Sequence, residues 1–206
     1  MKTKNYSTNR RGFLKGMAAG IGGYALGSLL IHPEEAMGQS IESNLEKIPM
    51  EVRWKTLSGA SVNNSVSLSK CRYDKDGREK FNEAAKIRAQ GAGAWMKGFA
   101  NNLGFTGIDP KSMAVSMPVI ITIFSGPQIK FEIEEATEEK ARVKCVNCTL
   151  WNAVQAQKIT DDLCSTASQY SWEGFAKAMN PKMTSTLVKA RPRGDSVCEW
   201  VIELQA

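Results

Sequence analysis

Residues 143–204 read VKCVNCTLWNAVQAQKITDDLCSTASQYSWEGFAKAMNPKMTSTLVKARPRGDSVCEWVIEL. This stretch decides the fold because two periods alternate along it. Val143 and Cys145 alternate with Arg142 and Lys144, the pattern of a half-buried strand. Trp151 to Gln157 and Thr160 to Met179 read as two helices. Thr160 is the expected N-cap, with Asp161 and Asp162 suited to the positive end of the helix dipole. Asn180-Pro181 ends the second helix. Thr184 to Ala190 is rich in β-formers, and Arg191-Pro192-Arg193-Gly194-Asp195 turns the chain. In the closing strand Cys198, Trp200, Ile202 and Leu204 share one face, with Val197, Glu199, Val201 and Glu203 on the other.

Upstream, Ile129, Phe131 and Ile133 alternate with Lys130, Glu132 and Glu134, and the polar link Thr137–Lys140 predicts an antiparallel hairpin. The apolar run Met113–Phe124 follows an N-cap and proline, Asp109-Pro110. It reads as a buried helix kinked near Pro118, although Val119–Ile123 has strand-like composition. Phe81, Ala85, Ala92, Trp95, Phe99 and Leu103 recur at helical spacing from about Arg78 to Leu103, where Gly104 is a stop signal. Gly91, Gly93 and Gly98 weaken that helix and make sense if another element packs closely on it. Val66–Tyr73 suggests a short helix before the turn Asp74-Lys75-Asp76-Gly77. Ser58–Asn64 is small and polar, hence a loop. Residues 40–58 have near-helical spacing interrupted at Pro49. The sum is an α+β domain: N-terminal helices packed on a C-terminal antiparallel sheet of about four strands, with a helical insertion.

The first residues belong outside that domain. Ser7-Thr8-Asn9-Arg10-Arg11-Gly12-Phe13-Leu14-Lys15 resembles the twin-arginine export motif. A Gly-rich apolar run from Gly16 to Ile31 follows, shorter than the ~20 residues of a membrane span. Ala36-Met37-Gly38 offers small residues for cleavage before Gln39. Residues 1–38 are therefore expected to be a twin-arginine signal peptide and residues 39–206 a single domain. The protein would be periplasmic or otherwise exported, with the twin-arginine export machinery as a partner and no lasting membrane insertion.

Removing that segment takes five of the 27 Lys and Arg and two of the 21 Asp and Glu, leaving a net charge of +3. With no basic stripe interleaved with aromatics, nucleic-acid binding is not expected. The single histidine, His32, leaves with the signal. Ser-His-Asp and Cys-His devices and His-ligated zinc or haem are thereby excluded. Acid–base chemistry must fall to Asp, Glu, Lys, Tyr or Cys. No dinucleotide, phosphate-loop or haem-attachment motif is present, so no cofactor is expected.

Four of the five cysteines, Cys145, Cys148, Cys164 and Cys198, lie in the opening stretch. Cys145-x-x-Cys148 invites a metal or redox reading, but residues three apart on a strand point to opposite faces. There is no second such pair, so no metal is expected. Buried inert thiols, or a disulfide in an oxidising compartment, are the bland readings, and they are held for Cys71 and Cys145. Cys148 stands where strand gives way to helix, and a thiol beside a helix N-terminus loses its proton more readily. Cys164, in the first turn of the next helix near Asp161 and Asp162, is the weaker nucleophile. Asp195 is either a turn residue or part of the site.

Cys148, Ile159-Thr160-Asp161-Asp162-Leu163-Cys164, Asn180-Pro181 and Gly194-Asp195-Ser196-Val197-Cys198-Glu199-Trp200 resemble the L-2-amino-thiazoline-4-carboxylic acid hydrolase family over residues 141–204, with Trp200 in place of the usual Phe. The closing Gly-Asp-x-x-Cys strand is also similar to that of the vinyl-reductase type of small-molecule-binding domain. The first resemblance implies hydrolysis of a cyclic C–N bond in a small heterocycle of the thiazoline or amidine type. Cys148, or water activated by Asp195, would attack the ring carbon, with Cys164 and Cys198 as further site thiols. Arg191 and Arg193 would hold a substrate carboxylate. The alternatives are an exported binding module without catalysis, and a redox or metal accessory protein. The three sulfurs of Cys148, Cys164 and Cys198 are expected to meet around one small hollow walled by the last sheet.

Overall fold

The computed structural model describes residues 45–205. The expected signal peptide and the first residues of the expected helix at 40–58 lie outside the described residues. The chain divides into two units, residues 1–53 and 54–206. In the first, Leu45–Ile48 forms a turn closed by the Ile48 N–H on the Leu45 carbonyl at 3.0 Å, and Pro49 precedes a helical turn.

Five helices and four strands follow. They are α1 (Met50–Gly91), α2 (Gly93–Asn102), α3 (Pro110–Ser125), β1 (Lys130–Ala136), β2 (Lys140–Asn147), α4 (Thr149–Ala156), α5 (Ser165–Met179), β3 (Met183–Lys189) and β4 (Cys198–Leu204), with a 3-10 turn at Arg191–Arg193. The sheet is antiparallel in the order β1-β2-β4-β3. The α+β architecture expected from the sequence is the one observed, and α4 and α5 are the helical insertion.

The buried face of the sheet carries Ala141, Val143 and Cys145 on β2, Cys198, Trp200 and Ile202 on β4, and Met183 and Leu187 on β3. Register puts Val143 opposite Trp200 and Cys145 opposite Cys198. Over this face α3 contributes Met113, Met117 and Ile120, and α5 contributes Trp172 and Phe175. Trp172 and Trp200 stack with ring centroids 4.4 Å apart. On the opposite face Glu199 is buried beneath the long side chains of Arg142, Lys144 and Lys189, with Lys189 Nζ 2.9 Å from its carboxylate. Burial pushes that carboxyl upward, but the hydrogen bonds from Lys189 and Arg142 outweigh it and hold the group below the usual range.

Local chemistry explains several boundaries. Asp109 caps α3, its carboxylate accepting the Ser112 N–H at 2.8 Å, and Pro110 begins the helix. Pro118 sits inside it. The hairpin between β1 and β2 is closed by the Thr137 N–H on the Lys140 carbonyl at 2.7 Å.

Three expectations need correction. Ser58–Asn64 is helix, not loop. Its polar side chains bond back to carbonyls one turn earlier, Ser58 Oγ to Trp54 and Asn63 Nδ2 to Gly59, while Val62 is buried. That back-bonding lets small polar residues sit in a helix they would otherwise disfavour. The helix continues through Val66–Tyr73, and its break comes at Gly77, where φ is 77°. The single helix expected from Arg78 to Leu103 is divided at Ala92 into the end of α1 and α2. The helix expected from Thr160 begins at Ser165, because the Asp162 carboxylate accepts the N–H groups of Cys164 at 3.2 Å and Ser165 at 2.9 Å.

Of the glycines expected to permit close packing, Gly93 does so. A Cβ there would stand 2.1 Å from the Gly174 carbonyl oxygen on α5, whereas Gly98 faces open space. Gly93→Ala is expected to destabilise the domain by about 1–3 kcal/mol, as overpacking against backbone does. Gly98→Ala should be neutral or stabilising by up to about 1 kcal/mol. Urea denaturation of the two variants checks the contrast, and equal midpoints would contradict the close approach of α2 to α5.

Candidate functional site: a thiol cluster beside Arg191

Strand β2 ends at Asn147, and Cys148 occupies the N-cap of α4 with extended backbone, φ −114° and ψ 110°. The β1–β2 pairing slips by one residue at Val146, between Phe131 opposite Cys145 and Lys130 opposite Asn147, so strict alternation is interrupted between Cys145 and Cys148. Cys148 Sγ accepts the Trp151 N–H at 3.4 Å, taking the place of a capping oxygen. The Cys145 thiol donates to the Asn147 carbonyl at 3.4 Å.

Cys198 is the cross-strand partner of Cys145. Its sulfur accepts the Arg191 backbone N–H at 3.5 Å. The Arg191 guanidinium donates through Nη2 to the Val146 carbonyl at 2.6 Å, which fixes its charge beside Cys145, Cys148 and Cys198. Cys164 is the N-cap of α5 and feels the charges of Cys148 and Cys198. Cys145 and Cys198 thus face each other across β2 and β4, while Cys148 and Cys164 stand at the starts of α4 and α5.

Their protons are held very differently. A hydrogen bond from the Cys145 thiol lowers the pKa of Cys148 to about 6, aided by the backbone N–H groups of Trp151 and Leu150 and by Arg191, against the opposing effect of burial. The same hydrogen bond, with burial, pushes Cys145 up. Burial and then the Asp162 charge push Cys164 up. Burial pushes Cys198 up in spite of the Arg191 N–H. Of the four thiols, Cys148 is the one drawn toward the thiolate form. A thiolate is the nucleophilic form of cysteine.

The other residues expected at the site are placed as follows. Asp195 is exposed in the turn, its carboxylate accepting the Ala190 N–H at 2.8 Å and so closing the loop between β3 and β4. Arg193 is exposed on the same turn, with its backbone N–H on the Ala190 carbonyl at 2.8 Å. Cys71, expected to be buried, is exposed on α1, on a turn whose apolar contacts are made by neighbours such as Val66. Cys145, expected to be a buried thiol, is buried, with its thiol on the Asn147 carbonyl.

A small cavity of about 40 Å³ is lined by Ser65, Val66 and Ser69 of α1, by Leu150 and Val154 of α4, and by Leu163 and Cys164. It is bounded by helices, and of the four thiols it touches Cys164. A separate apolar cluster, Val62, Val66, Phe81, Ala153, Val154, Ile159 and Leu163, seals α1 against this region. Among the described residues no group of three or more His, Cys, Asp or Glu is arranged to hold a metal ion, and no helix is long and apolar enough to cross a membrane.

No protein-family model matches the chain, and no curated protein matches it. Among solved structures, the phenol-responsive sensory domain of the transcription activator PoxR, with phenol, matches over 69% of this chain and 74% of that one, with a TM-score of 0.54 and 12% sequence identity. At that identity the likeness is one of fold: this chain carries the α+β fold of that sensory domain.

Proposed function

We propose that this domain is a small-molecule-binding module whose ligand is held at the thiol cluster, with Cys148 as the group that meets it. The observation that carries this reading is the placement of Arg191 against the Cys198 sulfur and the Val146 carbonyl, beside the Cys145–Cys198 pair and the start of α4 at Cys148. A single thiolate among protonated thiols, beside a fixed guanidinium, suits a small polar-headed or thiol-reactive ligand. The fold likeness supports it, since the sensory domain was solved with phenol.

Space sets a condition on this reading. The cavity of about 40 Å³ is far smaller than the ~150 Å³ that accommodates benzene. A ring-sized ligand must therefore part α1 from Leu150, Val154 and Leu163, so that binding is coupled to a displacement of α1. The test is thermal denaturation of the full chain with phenols, with cyclic amidines and thiazolines, and with soft electrophiles, each also against Cys148→Ser. One class is expected to raise Tm in proportion to the logarithm of its concentration, with the shift lost in the variant. No shift with any class, or the same shift in the variant, contradicts the reading.

A second reading is favoured by the same thiolate. Cys148 would attack the ring carbon of a cyclic amidine and open its C–N bond, as the resemblance to the thiazoline hydrolases implies. Release of a ring-opened product from the thiazoline arm of the panel, absent with Cys148→Ser, distinguishes it from binding alone. For residues 1–38 the proposal remains export by the twin-arginine route. An exported protein whose N-terminal sequence starts at Gln39 supports this, and one that retains Met1 contradicts it.

A further inference from the structure

We propose that the outer side of α2 and α3 is a docking face for an anionic lipid surface, with Trp95 and Phe124 entering the bilayer interface. This goes beyond the ligand at the thiols and does not depend on it. Three rings stand together on these helices. Trp95 stacks on Phe99 at 5.6 Å, and Phe124 meets Trp95 at 5.6 Å and Phe99 at 5.5 Å. Trp95 is 56% exposed and Phe124 49%, so the cluster faces away from the core. Ile87, Leu103, Ile108 and Val115 are exposed along the same stretch of chain. Rings of this size gain strongly from burial, and a cluster of them left in water marks a surface that meets something apolar.

Charge identifies the partner. Residues 84–129 carry four cations, Lys86, Arg88, Lys97 and Lys111, against one acid, Asp109. The Asp109 carboxylate is engaged in capping α3, accepting the Ser112 N–H at 2.8 Å and its hydroxyl at 2.9 Å. Lys86 lies over the Tyr170 ring, 4.8 Å from its centroid. Among the described residues, Arg88, Lys97 and Lys111 make no ion pair. On the outer face of the sheet, by contrast, Lys140, Arg142, Lys144 and Lys189 are each paired with a glutamate. The helical side therefore offers unpaired cations and no free carboxylate, which complements an anionic headgroup layer. Tryptophan flanked by lysine is the pairing that a membrane–water boundary favours.

A groove of about 420 Å³ along α3 favours lipid over protein. It is lined by Pro118, Val119, Thr122 and Ile123, with Trp54 of α1 and Phe131 of β1. Its polar atoms are used internally: Trp54 Nε1 donates to the Ile123 carbonyl at 3.0 Å, and Thr122 Oγ1 to the Pro118 carbonyl at 2.7 Å. A protein interface carries about one hydrogen bond per 100–200 Å², which these walls do not supply, whereas an acyl chain needs none. No helix among the described residues is long and apolar enough to cross a membrane, so the contact is peripheral and reversible.

The test mixes the full chain with vesicles of phosphatidylcholine alone, or of phosphatidylcholine and phosphatidylglycerol, with brominated acyl chains, and reads tryptophan emission. Bromine quenches only a tryptophan that approaches the chains closely. The sequence before Leu45 contains no tryptophan, so recruitment by that stretch alone gives no signal, and Trp172 and Trp200 are shielded in the core. Quenching is expected with the anionic vesicles, absent with the neutral ones and reversed by about 0.5 M salt. Trp95→Phe should lose at least half of it. Phe124→Glu and Lys97→Glu should each raise the lipid concentration for half-maximal quenching by about tenfold. Thermal denaturation of each variant checks that the fold is kept. No quenching, equal quenching by both vesicle types, or quenching undiminished in Trp95→Phe or unchanged in Phe124→Glu overturns the proposal. So does a dimer in sedimentation equilibrium that Trp95→Ser dissolves, since the face would then belong to a second copy. None of these substitutions touches the thiols, so failure here is distinct from failure of the binding reading.

Discussion

Trp200→Ala is expected to destabilise the domain by about 3–5 kcal/mol, the range for deleting a large buried aromatic. Trp200 is 4% exposed at the middle of β4. It pairs with Val143 on one side and Leu187 on the other, and its ring stacks on Trp172 of α5 at 4.4 Å with planes 10° apart. Removing it hollows the contact between the sheet and α5 and loosens the strand that presents Cys198. Trp200→Phe should behave otherwise. The indole Nε1 is buried without a hydrogen-bond partner. Phenylalanine gives up contact area but also removes that unpaired donor, whose desolvation costs about 1–3 kcal/mol. The two effects oppose each other, and a net change within about 1 kcal/mol is expected. Urea denaturation of both variants measures the pair. A small effect for alanine would mean that the core is not centred on the stacked tryptophans.

Cys148→Ser is expected to abolish the fast phase of thiol alkylation at pH 6.5 while leaving the fold intact. A free thiol at the ordinary pKa of about 8.5 is about 1% thiolate at that pH. Cys148, drawn down to about 6, is mostly ionised. Lowered basicity also lowers nucleophilicity, with a Brønsted slope of about 0.4–0.5, so the net advantage over an ordinary thiol is roughly tenfold. The charged and titratable groups facing it are Cys145 on β2, Cys198 on β4, Arg191 in the 3-10 turn and, acting through Cys164 at the start of α5, Asp162. Cys145→Ala removes the neighbouring thiol that contributes most to the shift. It should slow alkylation at pH 6.5 less than Cys148→Ser does. Stopped-flow alkylation with iodoacetamide on the Cys71→Ser background reads both effects. A fast phase that survives Cys148→Ser would assign the reactive sulfur elsewhere.

The closing strand was legible because its pattern is strict: Cys198, Trp200 and Ile202 alternate with Glu199, Val201 and Glu203, and the Gly194 turn before it has the φ of 97° that favours glycine. The hairpin and the Asp109 cap were legible for the same reason, since local chemistry alone determines them. Ser58–Asn64 was misread because composition there argues against the helix that Val62 and Val66 enforce by packing. The start of α5 was misread because Thr160 and Asp162 both suit a cap, and it is the Asp162 carboxylate that accepts the free N–H groups of Cys164 and Ser165. At the site, the position of Cys148 at a helix start was readable. The strand rule that set Cys148 away from Cys145 is interrupted by the slip in β1–β2 pairing at Val146, which has no signal in the sequence. The close approach of Arg191 was inferred from chain proximity alone, and the Val146 carbonyl supplies the physical reason for it.

The central claim is that Cys148 is a thiolate at neutral pH because Cys145, two helix-start N–H groups and Arg191 stabilise its charge. The rate of Cys148 alkylation as a function of pH, followed in the Cys71→Ser protein by mass spectrometry of peptide 145–158, measures this most directly. A midpoint near 6, moving upward in Cys145→Ala, is the predicted result. A midpoint near the ordinary thiol value of about 8.5, unchanged by that substitution, would contradict it.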